Sequence, residues 1–496
     1  MPSSPTQNRD AISLVWFKRD LRLTDHAPLQ AAIASGLPVL LLYVFEPISL
    51  EDEHYSERHW RFVWQSLEDL NQQLAPFGGK VLVVRSGCIE ALSSLHTQFK
   101  IKTLYSHEET GLMKTFARDK EVGKWCKEHE IDWQEHQTGA VKRGAISREG
   151  WDKAWDKTMR APVVTPNLEA AAFINNQPAH MTEFVPPATW QSKQRGMQTG
   201  GPTLAWKTLH SFYEGRGKSY AFKISKPAES RNHCSRLSPY LAWGNLSVRE
   251  VYQTLLQHWN VPGWRRSLSA LSSRFHWHCH FIQKFESECE MEFRHVNRGY
   301  EAFPYRKDED ITKDLACWMQ GMTGYPLVDA CMRCLHATGY INFRMRSMLV
   351  SFLCHHLNID WRWGVKHLAS LFLDFEPGIH YAQFQMQASV TGTNTIRIYN
   401  PTKQAQEHDP DAAFIHRWLP ELKKLPPPLV FEPWLLTPLE QKMYGISIGE
   451  AGDYPEPCIV LDAASKVARD RLWSWKKRAE VKKESKRILT VHVRPE

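Results

Sequence analysis

The sequence predicts an α/β N-terminal domain, built on an open and mostly parallel sheet, followed by an all-α domain. Three observations carry the prediction. Short apolar runs alternate with helical patterns up to about residue 135. Regular periodicity then lapses across a stretch broken by Pro162, Pro166, Pro178, Pro186 and Pro187. From about Leu204 the spacing is helical with little strand signal. Apolar periodicity separates helix from strand, and strand–helix alternation builds a parallel sheet covered on both faces. The expected division is residues 11–135, an interdomain connection over 136–200, and a helical domain over 201–496.

Residues 1–10 are polar and read as a disordered leader. Ser13 to Phe17 reads as a buried strand, and Lys18 to Asp25 as a charged turn into a helix over Ala27 to Ala34. Pro38 to Phe45 is an unbroken apolar run, as a strand buried on both faces requires. A helical pattern over Arg58 to Leu74 precedes a strand at Lys80 to Val84, and one over Ile89 to Phe99 precedes a strand at Thr103 to Ser106. No GxGxxG fingerprint follows a strand, so an NAD-type site is unsupported. Farther on, Pro426-Pro427-Pro428 and Tyr454-Pro455-Glu456-Pro457 mark loops. Ser465 to Arg487 is a strongly basic helical stretch, either a solvated face or a phosphate-contacting arm.

A chain of 496 residues is long enough for two cores. Its net charge of +8 is compatible with nucleic acid without requiring it. No apolar run reaches membrane-spanning length, and no signal peptide is evident. The ten cysteines lack the spacing of a disulfide framework, so a cytoplasmic location is expected, and the chain is expected to be a monomer. Cys331-x-x-Cys334 sits in an apolar helical pattern with no second pair and reads as buried thiols. His276 and His280 have zinc-like i, i+4 spacing but no third ligand nearby, so no metal is expected.

The most informative stretch runs from Trp318 to Pro401. Leu349, Val350, Leu353 and Leu357 keep helical spacing, while Arg344, Arg346, Asp374 and Glu376 interrupt it with charge. Burying such groups is costly unless they pair or hold a ligand, which leaves a structural ion network or a binding site. The residues Gly321-Met322-Thr323-Gly324-Tyr325-Pro326, Asp360-Trp361-Arg362, Asp374-Phe375-Glu376 and Arg397-Ile398-Tyr399-Asn400-Pro401 occur in this order. The block resembles the flavin-binding region of the photolyase/cryptochrome family. The opening LVWFKRDLRLTDH resembles the family's N-terminal signature, and the resemblance extends from about Leu14 to Trp473. That family includes both repair enzymes and light sensors, so kinship alone does not decide activity.

The resemblance implies FAD as cofactor, held by the all-α domain. Hydroxyls and an arginine ahead of a helix make either a phosphate cradle or an ordinary N-cap. Cys234 to Leu241 resembles the family's TSRLSPYL motif around the flavin-adenine diphosphate, with Cys234 replacing Thr. Tyr220, Ser235, Arg236, Leu237 and Ser238 are thereby expected to bind FAD. Arg346 is expected to pair with Asp374 beside flavin N5, where a guanidinium favours the anionic reduced ring, and Glu376 to face ring and sugar. His380 stands where sensors carry Asp and many repair enzymes Asn. It either faces N5, tuning redox state by protonation, or is a satisfied core histidine.

Trp277 matches the family tryptophan that lies against a DNA lesion. His278 replaces the usual Arg beside it, and Arg274 the usual acid at a flavin- or lesion-contacting position. Tyr340 and Met386 are expected to line the lesion cavity, and Arg344 and Arg397 to hold DNA phosphates. The electron-transfer tryptophans are only partly present: the flavin-proximal position is Phe384, the middle one Trp361, and the surface one falls near Asp308. His107 to Gly111 lies where the family can contact an antenna chromophore, but departs from the folate-binding pattern, leaving its identity open. The activity implied is that of a deoxyribodipyrimidine photo-lyase, splitting cyclobutane pyrimidine dimers in UV-damaged DNA by electron transfer from excited reduced FAD. The alternatives are a blue-light photoreceptor without repair and, more weakly, repair of the (6-4) photoproduct, whose characteristic His pair would fall at Phe343 and Ser347.

Overall fold

The structure is a computed structural model and describes residues 10–175, 181–449 and 451–493. The expected leader, apart from Asp10, and Pro178 lie outside the described residues. Five strands, β1 (Ala11–Phe17), β2 (Val39–Phe45), β3 (Val81–Arg85), β4 (Lys100–His107) and β5 (Asp132–His136), form one parallel sheet in the order β3-β2-β1-β4-β5. The apolar runs fill its centre, and β2 is buried along its whole length. Strand β5 carries Asp-Trp-Gln-Glu-His, which no apolar pattern reveals. It forms the sheet edge, where one neighbour and partial exposure relax the demand for apolar side chains. The order reverses between β1 and β4, so the crevice beyond their carboxyl ends is the expected ligand-facing side of such a sheet. Lys18, Arg19 and Asp20 leave β1 there, beside His107 of β4.

The connection contains more order than its prolines imply. A helix spans Trp151–Arg160 and buries Trp151, Trp155 and Met159, a stripe at i, i+4, i+8. Trp155 packs edge-on to Tyr252 and His276, at ring-centroid distances of 5.0 Å each. His276 Nε2 lies 2.8 Å from Asp152 Oδ1, which accounts for the first member of the zinc-like pair.

In the helical domain the Arg265–Ser287 helix lies against Pro377–Gln387. Close approach depends on Gly378, where a Cβ would stand 2.7 Å from Ile282 Cα. Gly244, at φ +71°, plays the same part between the domains, since a Cβ there would meet the Arg19 carbonyl at 2.2 Å. Trp318 and Trp361 are fully buried in the core of this domain. No described helix is long and apolar enough to cross a membrane.

Asp20, His26 and His107 come within metal-ligand distance of one another. His26 Nδ1, however, accepts the Leu29 N–H at 3.1 Å, so Nε2 carries the ring proton and donates it to Asp20 Oδ2 at 2.9 Å. A histidine so committed caps a helix rather than offering a lone pair to an ion.

Burial also pushes the imidazoles of His59, His355 and His356 from 6.5 down to about 4, 3 and 4. A base depressed in the folded state stabilises it fully above the unfolded value and loses that contribution as pH falls. Stability is therefore expected to drop below about pH 6.5, by up to about 1.4 kcal/mol per pH unit for each histidine. Thermal melts at stepped pH check this; a flat midpoint from pH 7 to about 5 would contradict it.

Candidate functional site

A cavity of about 470 Å³, within the usual range for small-molecule sites, opens beside the Arg265–Ser287 helix. Tyr220 and the loop Ser235, Arg236, Leu237, Ser238 line it, with Arg274, Trp277 and His278 from the long helix. Tyr340, Arg346, Asp374, Met386 and Arg397 complete the group that the sequence singles out. Helical spacing puts Arg274, Trp277, His278 and Phe281 on one stripe. Leu271, Phe275 and Ile341 supply apolar wall.

Arg236 adopts a left-handed backbone, φ +63°, costly for a residue with a side chain and held by its surroundings. Its guanidinium lies 3.5 Å from the Tyr340 ring centroid, and its carbonyl accepts from Gln198 Nε2 at 2.8 Å. Arg216 secures the loop from behind, donating to the Cys234 carbonyl, to Ser235 O at 3.1 Å and to Thr208 O at 2.9 Å. Sequence reasoning missed Arg216; its one signal is the Gly215-Arg216-Gly217 turn just before Tyr220.

Arg346 Nη2 donates to Asp374 Oδ2 at 2.7 Å and Nε to the Ile341 carbonyl at 3.1 Å, while the guanidinium covers Phe372 at 3.9 Å. Burial pushes the Asp374 carboxyl up, but the Arg346 charge and hydrogen bond, with Ser238 and Arg236 adding to them, together outweigh it and hold the group below its ordinary value. Glu376 goes the other way: burial raises it, and Arg19, 3.5 Å away, offsets only part. Arg19 also donates to the Phe375 carbonyl, so a residue of the α/β domain braces this loop. The motif LVWFKRDLRLTDH contains it, yet nothing local in the sequence assigns it that contact.

Glu376, His380 and Phe384 line an adjoining hollow of about 40 Å³ that shares Arg346 and Asp374 with the main cavity. His380 Nε2 donates to the Val365 carbonyl at 2.8 Å, and burial pushes its imidazole down to about 3. His380 is thus hydrogen-bonded in the core and borders the adjoining hollow as a neutral ring, an arrangement that gives no support to redox tuning by its protonation near neutral pH.

Two residues expected at DNA, Arg344 and His278, have distinct surroundings. Arg344 does not line the cavity; two residues before Arg346 it points roughly 200° around the helix. Its Nη1 lies 3.5 Å from Gln404 Oε1 instead. His278 faces inward between the cavity and an interdomain hollow, where burial, with Arg19 adding to it, pushes it down to about 4. A neutral imidazole thus stands in the cavity wall where the family pattern has an arginine. Trp277 by contrast is 42 % exposed and stacks on Phe281 at 5.5 Å, and Arg397 is exposed.

Trp361 is fully buried, its ring 6.4 Å from Phe384. Asp308, near which the third position falls, pairs with Arg306 at 2.5 Å. Ser347 Oγ donates to the Phe343 carbonyl at 3.0 Å, and no histidine occupies either position. His107 to Thr110 border the interdomain hollow of about 120 Å³. Gly111 borders another of about 60 Å³, spanned by Arg118 paired with Glu46 and Glu109.

Residues 271–474 match the family model for the FAD binding domain of DNA photolyase, and residues 13–147 that for DNA photolyase. The chain belongs to the photolyase/cryptochrome family. It is 28 % identical to cryptochrome DASH of Synechocystis sp., over 90 % of this chain and 94 % of that one. A deoxyribodipyrimidine photo-lyase of Alkalihalophilus pseudofirmus is 28 % identical, over 91 % and 96 %. The solved class III photolyase of Agrobacterium tumefaciens superposes with a TM-score of 0.81 at 25 % identity, covering 96 % of this chain and all of the other.

The cofactor of this family member is FAD, and the cavity's chemistry fits it. Arg236 Nη1, Asn342 Nδ2 and Asp374 Oδ1 are buried in the cavity wall, and Glu376 Oε1 in the adjoining hollow, without partners among the described residues. Buried polar atoms are rarely left so, and this set mixes donors with acceptors, as a flavin with its diphosphate requires.

Proposed function

We propose that this family member is a light-driven DNA repair enzyme that splits cyclobutane pyrimidine dimers, working as a cytoplasmic monomer. The reading rests on Trp277, an exposed indole at a cavity whose wall carries the Arg346–Asp374 pair. Exposing an indole gives up apolar burial, and here it offers a stacking face to an unpaired base, worth about 1–3 kcal/mol. Flipping the lesion out costs roughly a few kcal/mol, least at a damaged site, so stacking selects the dimer. Bound in the cavity, reduced FAD supplies a light-excitable electron donor. Ser235, Arg236 and Ser238 hold its diphosphate, with Arg216 keeping their loop in place. Arg346 keeps positive charge at the ring, and Asp374 fixes its orientation. Leu271, Phe275 and Phe281 keep water from the reacting groups. Arg397 meets a DNA phosphate at the mouth.

A second reading, blue-light reception without repair, draws on Arg274 and His278. One is a cation where the family's repair enzymes carry an acid; the other is a neutral ring where they carry an arginine. DNA affinity separates the readings. Damaged duplex is expected to bind more tightly than intact duplex, with strong salt dependence. Arg397→Ala is expected to lower the logarithmic salt slope by about one. Equal affinity for both duplexes at every salt concentration would favour the receptor.

A further inference from the structure

Tyr381 lies one residue beyond His380 and is 1 % exposed. Its hydroxyl stands 2.6 Å from His54 Nε2, and His54 Nδ1 stands 2.5 Å from Asp52 Oδ1. His54 and Asp52 come from the α/β domain and are also buried. A carboxylate only accepts, so Nδ1 carries the ring proton and Nε2 presents its lone pair to the phenol. Asp52 is held in place by Lys114 and by the His54 backbone N–H at 2.8 Å. A buried phenol thus has a proton acceptor, and the acceptor has a counter-charge ready.

The surroundings give this relay a use. Phe384 borders the site but is hard to oxidise. Behind it is Trp361, 6.4 Å away between ring centroids, and Tyr381 is 6.1 Å from Trp361. The Trp361 Nε1–H is buried with no acceptor among the described residues, so an oxidised Trp361 has nowhere nearby to leave its proton. Tyr381 does.

We propose that Tyr381 is a redox-active tyrosine that serves as the electron donor behind Trp361. An electron leaves Trp361 for the light-excited oxidised flavin. Tyr381 then gives one electron to Trp361, while its O–H bond breaks and an Nε2–H bond forms on His54. The products are neutral Trp361, a neutral tyrosyl radical and an imidazolium paired with Asp52. An external thiol returns the electron, and His54 returns the proton. The inference rests on the flavin site but not on DNA repair. A second tyrosine, Tyr305, is a weaker candidate. It is 3.1 Å from His295 Nε2, but His295 Nδ1 makes no hydrogen bond and lies 3.7 Å from the half-exposed Glu301.

The test is electron paramagnetic resonance on full-length, FAD-loaded, oxidised protein, illuminated without reductant and frozen. A neutral tyrosyl signal is expected, narrowed when the protein is grown with ring-deuterated tyrosine and formed more slowly in D₂O. Tyr381→Phe is expected to abolish it and His54→Gln to reduce it to background, with FAD content retained, while Tyr305→Phe keeps it. A signal that survives Tyr381→Phe, one that disappears in Tyr305→Phe, or a tryptophan radical insensitive to ring-deuterated tyrosine overturns the proposal. A ruthenium polypyridyl photo-oxidant supplies the same oxidising step from outside. The tyrosyl signal under that oxidant stands or falls with Tyr381, whatever the outcome for flavin or lesion.

Discussion

Asp374→Asn is expected to lose most of its FAD on purification, or to retain it with an altered redox state. The Arg346 guanidinium sits 2.7 Å from the Asp374 carboxylate and has no second acidic partner among the described residues. Removing one member of a buried pair costs about 3–5 kcal/mol, because the remaining charge stays desolvated. Arg346 is partly exposed, so the lower end of that range applies. The same substitution changes an oxygen, Oδ1, that accepts no hydrogen bond among the described residues. Flavin content and photoreduction equal to wild type would mean that the pair neither shapes nor touches the cofactor site.

Trp361→Phe is expected to separate two light reactions. Photoreduction of the oxidised flavin, with external thiol present, needs an oxidisable ring behind Phe384, and Trp361 is that ring. Replacing it with a second phenyl ring should slow the reaction strongly while keeping the buried volume nearly full. Lesion splitting by prereduced protein should continue, because its electron passes from the flavin to the lesion without entering the aromatic path. Loss of both activities in a folded, FAD-loaded variant would contradict this division.

What the sequence revealed follows how local each signal is. Strands β1 to β4 were legible because their burial is written as apolar runs, whereas β5 is an edge strand whose charged residues satisfy the sheet without such a run. The Trp151–Arg160 helix has a clear tryptophan stripe, obscured by the prolines on its C-terminal side. In the site, the loop Ser235 to Ser238 and the Arg346–Asp374 pair could be read from contiguous motifs. Arg216, Arg19 and His54 could not, since each acts on a partner brought near only by the fold. Arg19 reaches Phe375, and His54 reaches Tyr381, across the domain boundary. Arg344, a neighbour in sequence to a site residue, is turned away from the cavity by helical rotation. The inward placement of His278 likewise depends on a helix face that residue identity does not specify.

The central claim is tested most directly by illuminating prereduced, FAD-loaded protein with DNA carrying one defined cyclobutane dimer, and scoring the products by chromatography. Blue light is expected to restore the two pyrimidines, and the dark control to leave the dimer intact. A dimer that persists under illumination, with flavin reduced and DNA bound, would contradict dimer repair.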